Sequence, residues 1–157
     1  MLAILSILAI VALDQLVKYW TITVVKPAVS IPVIENVFHF TYVENRGAAF
    51  SILQGQKLFF LIATVIVLAL IFAAFRTGYV QHATGKWALL MAAGGAIGNL
   101  IDRMARGFVV DTFDFCLIHF PVFNVADIFV VCGGILFAYY ILFKHPSSEK
   151  NDDSENV

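Results

Sequence analysis

Charge is what this sequence has least of. Lys, Arg, Asp and Glu together supply 13% of its 157 residues, while 61% are hydrophobic and the mean hydropathy is +0.88. Soluble domains are about a quarter charged and about half apolar. A chain this short cannot hide so much apolar surface in a core facing water, and a lipid bilayer is the solvent its composition fits. Basic clusters are also missing, and with a net charge of -1 no nucleic-acid partner is expected. Cysteine is rare. Cys116 lies in a loop and Cys132 inside an apolar run, so the pair suits neither a disulfide framework nor a thiolate metal site, and both read as small hydrophobes. The four histidines, His39, His82, His119 and His145, are scattered, and neither H-E-x-x-H nor G-x-S-x-G occurs. Cys116 and His119 are near neighbours, but such a pair in a short loop is incidental. Zinc, serine and thiol hydrolysis thus lack their usual residues, and no cofactor or metal is expected.

What is present is four apolar runs, roughly 2–20, 58–75, 87–101 and 127–143. Each approaches the ~20 residues that cross ~30 Å of hydrocarbon. The first has no Lys or Arg before it and no small-x-small site after it, so it is expected to be a retained helix and not a cleaved signal. The fold class predicted is an all-α membrane protein: four transmembrane helices over 1–144, with a small β-rich subdomain and a short interfacial helix outside the membrane. The surface loop spans about 21–57. Its segment 37–43, rich in β-branched and aromatic residues, predicts a strand, and 47–53 predicts the interfacial helix. The polar tail, 145–157, is expected to be disordered. Gly94 and Gly98 form a G-x-x-x-G face with Gly95 beside it, and Gly133 and Gly134 offer a second place for close helix contact. Tyr19, Trp20, Trp87, Tyr139 and Tyr140 mark membrane interfaces.

Antiparallel crossing then sorts the polar residues. Asp14 stands twelve residues into the first run, about 18 Å along a helix, toward the same side as the loop after it. The connection between runs three and four carries Asp102, Arg103, Asp111, Asp114 and Asp127, and it emerges on that side too. Every acidic residue outside the tail therefore collects at one face. Lys and Arg divide four to six between the two faces, which fixes no orientation by the positive-inside rule.

Ionisable groups near hydrocarbon are costly and tend to be functional. Asp14 and Lys18 are spaced i,i+4, and a neutralising ion pair is the favoured reading over a direct chemical role. Asn99 and Asp102 share a helix face and could present an amide and a carboxylate to one site. Arg103 could clamp a carbonyl or a phosphate with its planar fork, but a terminating helix with a local Asp102–Arg103 pair explains the stretch equally well. If 107–115 is extended, Asp111 lies among Val109, Phe113 and Phe115, where desolvation opposes ionisation, and Asp114 faces the other way. Asp111 is thus the better acid–base candidate. Asp127 follows Asn124 by three residues, as in a helix cap, yet it shares its connection with Asp111. Two carboxylates held close cannot both ionise; one keeps a proton, which supplies an acid and a base able to direct water at an amide.

Five motifs in order now carry a resemblance. Asp14 with Lys18, Asn45-Arg46-Gly47-Ala48-Ala49-Phe50, Gly94 to Arg103, Val109-Val110-Asp111 and Phe123-Asn124-Val125-Ala126-Asp127 together resemble the lipoprotein signal peptidases, the type II signal peptidases of bacteria. The similarity runs from Asp14 to about Leu142. It implies that Asp111 and Asp127 are the catalytic pair of an aspartic endopeptidase. It also implies supporting roles for Asn45, Gly47, Asn99, Asp102, Arg103 and Asn124, with Asp14 and Lys18 as further matched positions. The implied substrate is a diacylated prolipoprotein, cut before its lipid-bearing cysteine, and the implied setting is the bacterial cytoplasmic membrane. Termini in the cytoplasm, an active site toward the outer face, contact with membrane lipid and a monomeric enzyme complete the expectation. On this reading Asn45 and Asn99 orient the substrate backbone and Arg103 steadies Asp102 or a carbonyl. Many members have a single acid in the Val-Val-Asp stretch, whereas this chain adds Asp114; Asp111 keeps the role from its place in the motif. Two other classes remain open at this stage: a small proton-coupled carrier using the membrane acids as a relay, and a scaffold subunit built on glycine-faced helices.

Overall fold

The computed structural model describes residues 1–47 and 56–144. The interfacial helix expected over 47–53, beyond Gly47, and the tail over 145–157 lie outside the described residues. The long helices among those described are α1 (Leu2–Trp20), α3 (Lys57–Arg76), α4 (Ala83–Ala105) and α5 (Val125–Phe143), with a single turn α2 at Lys26–Ala28.

Three helical stretches are long and apolar enough to cross a bilayer: Leu2–Ala28, Lys57–Arg76 and Val125–Phe143. The third expected span is a longer helix than its apolar run of 87–101, but it is more polar than the other three. Its position explains this. α4 packs against α1, α3 and α5 and buries ten of its residues, whereas α3 buries none. A helix surrounded by other helices needs small residues for close packing; one facing outward needs a greasy surface. A Cβ on Gly95 would stand well inside 3.0 Å of the Ala126 carbonyl oxygen, and one on Gly98 would lie 2.5 Å from an Asp14 carboxylate oxygen. Gly133 plays the same part against the α4 backbone at Ala88 and Ala92, but Gly134 has open space around it and makes no such contact. At its start α4 is extended by His82, whose Nδ1 accepts the Thr84 N–H at 3.2 Å.

The expected loop after the first span begins later than 21. Helical backbone continues through a π turn, Thr21–Val25, into α2. Pro27, which has no N–H to donate, and Val29, at φ 65°, end it. Thr21 bonds the Val17 carbonyl at 2.8 Å and meets the Thr112 hydroxyl at 2.8 Å, so the turn is tied to a strand far along the chain.

That strand belongs to an antiparallel sheet, β1 (Ser30–Ile34), β2 (Phe38–Asn45) and β3 (Val109–Asp114), in the order β1-β2-β3. The predicted strand at 37–43 is β2. Phe40 pairs with Phe113, but Val43 pairs with Asp111, so β2 spends one residue more than β3 over this interval. The bulge reverses the side-chain alternation of β2. Phe38 and Phe40 face Phe113, and beyond the bulge Val43 and Asn45 come to the same face, beside Asp111. Phe38 stacks on Phe113 and Phe115 on Phe123 there, and tilted contacts join the two pairs. Phe123 is also laced to β3 by its backbone: its carbonyl accepts from Thr112 and Phe113, and its N–H donates to Phe113. The chain is thereby brought back alongside β3 just before α5 begins.

Candidate active site

Asp111 enters the site from β3 with 1% of its surface exposed. Asn45 donates to one of its oxygens at 2.9 Å and Asn124 to the other at 2.7 Å. Asp127 enters from the first turn of α5. One oxygen accepts from Asn99 at 2.8 Å, the other from the backbone N–H of Asn124 at 3.2 Å, and the Asp127 N–H returns a bond to the Asn124 side-chain oxygen. The helix cap foreseen at Asn124 is real, and it is also part of the site. The same asparagine closes the capping box and reaches across to Asp111.

All three asparagines are held the same way. An amide oxygen pinned by a donor forces the NH2 group to point in the opposite direction. The Asn45 oxygen accepts from Gly47 N–H at 3.0 Å, the Asn99 oxygen from the Lys18 ammonium at 2.9 Å, and the Asn124 oxygen from Asp127 N–H. Each NH2 then meets a carboxylate. Asn45 and Asn99, expected to orient substrate backbone, each donate here to one of the two acids.

Behind this layer lies a buried cluster of charges. Lys18 spends its three N–H bonds on Asp14 at 2.9 Å, Asp102 at 3.2 Å and Asn99. Lys18, Asp14 and Asp102 are all fully buried. Asp14 accepts from the Ala126 N–H at 2.9 Å and so holds the start of α5; Asp102 accepts from Val110 N–H at 3.0 Å and so holds the start of β3. The expected Asp14–Lys18 pair exists, but it has a second carboxylate. Asp102 therefore stands one step behind the site and not beside Asn99 in it. Its second cation is Arg106, the residue just after α4 and one helical turn on, and not Arg103, which at the next position points elsewhere. Gln15 donates to Asp14, Asp102 and the Gly98 carbonyl. Sequence reasoning missed Gln15, Arg106, Thr21 and Thr112. The i,i+4 spacing of Asp102 and Arg106 was a usable signal; for the long-range Thr21–Thr112 contact there was none.

Arg103 lies over the Phe60 ring, 4.8 Å from its centroid, on the wall of a cavity of about 540 Å³. Asp127, Asn45 and Gly47 also line it, and the rest of the wall is mainly apolar, including Phe120, Phe123, Ile128 and Val131. Asp114 is outside this arrangement and accepts the Thr41 hydroxyl at 2.9 Å on the other face of the sheet. Burial, with the Asp127 charge second, pushes the Asp111 carboxyl up to about 7 against the bonds from Asn45 and Asn124. A carboxyl that keeps its proton near neutrality beside a second carboxylate is a ready acid–base pair.

Comparison with known proteins places the chain in a family. The family model for signal peptidase (SPase) II matches residues 6–143. The lipoprotein signal peptidase of Clostridioides difficile is 46% identical over 144 residues, 91% of this chain and 96% of its own length. That of Caldanaerobacter subterraneus subsp. tengcongensis is 47% identical over 145 residues, covering 91% of this chain and 97% of its own. A solved structure described as a bacterial membrane enzyme, determined by the in meso method at 2.3 Å resolution, superposes with a TM-score of 0.82 at 33% identity, covering 99% of this chain and 93% of that one. With a family model spanning nearly all of the described residues and relatives close to half identical along their whole length, the chain belongs to the signal peptidase II family of membrane proteases.

Proposed function

We propose that this protein is an intramembrane aspartyl endopeptidase that removes signal peptides from diacylglyceryl-modified prolipoproteins, cutting before the lipidated cysteine. The substrate follows from the names of its relatives, lipoprotein signal peptidases. The observation that carries the chemistry is the meeting of Asp111 and Asp127, joined through Asn124, at an apolar cavity that Asp127 lines. One carboxylate takes a proton from water as the oxygen attacks the peptide carbonyl, and the other protonates the carbonyl oxygen. No metal or covalent intermediate is called for. The apolar wall suits acyl chains entering from the bilayer, and Arg103, lying over the Phe60 ring on that wall, is placed to turn to a substrate oxygen. In this reading α4 is also a span, the third in chain order, which brings the number to four; the termini are cytoplasmic, the sheet and site face outward, and one chain is the working unit.

The test is cleavage of a diacylated preprotein by purified enzyme in detergent, read by the mass of the released peptide. Asp111→Asn and Asp127→Asn should each abolish it while the protein still folds. Full activity in either variant would reject the assignment, and loss of wild-type activity on chelation would point to a metal.

A further inference from the structure

The two carboxylates are alike in chemistry but not in setting. Asp111 is 1% exposed and is held by two neutral amides. Asp127 lines the cavity and occupies the first turn of α5, where the positive end of the helix dipole favours an anion. Its Asn99 donor is itself bonded through oxygen to the Lys18 ammonium, and an amide polarised by a cation is a stronger donor. The charged groups around Asp127 are Asp14 and Lys18 from α1, Asp102 and Arg103 from α4 and Asp111 from β3, with Arg106 bound to Asp102 behind them. Among these, Asp14, Asp102, Lys18 and Arg106 balance in charge. Lys18 reaches Asp127 in two ways, through its charge and through a directed hydrogen bond relayed by Asn99, and the second of these singles out the Asp127 oxygen that Asn99 meets. Arg103 shares the cavity wall with Asp127.

We infer that the dyad is polarised: Asp127 is the ionised base that takes the proton from water, Asp111 is the protonated acid, and Lys18 acting through Asn99 is the positioning device that fixes this assignment. This rests on the aspartyl chemistry proposed above. In the first step water gives one proton to Asp127 as its oxygen bonds to the carbonyl carbon, and the carbonyl oxygen takes the proton of Asp111. In the second, the Asp127 proton passes to the amide nitrogen as the C–N bond breaks, and a hydroxyl of the intermediate returns its proton to Asp111 as the C=O bond re-forms. One water is consumed and the dyad ends as it began.

The pH profile of kcat/KM for diacylated preprotein cleavage separates the two assignments. Activity needs the singly protonated dyad, so its acidic and alkaline limbs report the first and second deprotonations of the pair. Losing the Asn99 donor destabilises every state in which Asp127 is ionised. Asn99→Ala should raise the acidic limb by about one pH unit and leave the alkaline limb in place, because both states on that side carry the Asp127 charge. Losing the Asn45 donor destabilises only the doubly ionised state, so Asn45→Ala should raise the alkaline limb and leave the acidic one. Exchanged limbs would overturn the assignment, and so would a uniform loss of activity in both variants with neither limb moved. If Asn99→Ala does not fold, Asn45→Ala decides alone, since it lies in β2 away from the buried charges; movement of the acidic limb there refutes the inference. Failure of the aspartyl reading itself would be seen separately, as cleavage that survives Asp111→Asn.

Discussion

Replacing Lys18 by Met tests whether the buried charges hold the site together. The ammonium touches Asp14, Asp102 and Asn99 at 2.9, 3.2 and 2.9 Å, with no solvent to replace it. Methionine fills a similar volume but leaves two buried carboxylates with Arg106 as the remaining cation, and it frees the Asn99 amide to rotate. Breaking a buried ion pair by removing one partner costs roughly 3–5 kcal/mol. For a chain of this size each kcal/mol lowers Tm by about 2–4 °C, which predicts a fall of roughly 6–20 °C. Heating in detergent while following the fluorescence of Trp20 and Trp87 measures it. Adding Asp14→Asn to Lys18→Met removes the stranded charge and leaves Asp102 paired with Arg106, so the double variant should recover at least half of the loss. A single variant within about 2 °C of the parent, or a double variant no better than the single, would refute the charge-balance reasoning.

Gly95→Ala should lower Tm in the same assay, because its Cβ would meet the Ala126 carbonyl, while Gly134→Ala, which meets nothing, should leave it unchanged; equal effects would contradict the packing described between α4 and α5. Stability should also depend on pH through Asp111. Its carboxyl is raised to about 7 in the folded protein from 3.8, so between about pH 4 and 7 the folded state holds a proton that the unfolded chain has lost, and stability falls as pH rises through that window. The slope approaches 1.4 kcal/mol per pH unit from this group. Subtracting the Tm-versus-pH curve of Asp111→Asn from that of the parent isolates it, and superposed curves would show that Asp111 titrates no differently on folding.

Much of the architecture was legible because lipid imposes strong constraints on composition. The apolar runs located α1, α3 and α5 to within a residue or two, since their outward faces must be apolar along the whole length. α4 was legible by its glycines more than by its hydropathy, because its neighbours are helices. The pairing of Asp14 with Lys18 followed from i,i+4 geometry, and the cap at Asn124 from local pattern. Local rules reach about one helical turn, and they ended there. They offered Arg103 to Asp102 where Arg106 serves, and they let the first helix stop at Trp20 when it runs on through a π turn.

The sequence by itself determined that this chain belongs in a bilayer, which residues carry charge there, and that the acids gather at one end of the bundle. Only the tertiary structure decided what those residues do to one another. Asn45, Asn99 and Asn124 are separated by dozens of residues or by a bulge whose register no local pattern encodes, and each is oriented by a donor on its oxygen. An amide has no direction until something fixes one end of it, and here the fixing groups arrive from other elements of the fold.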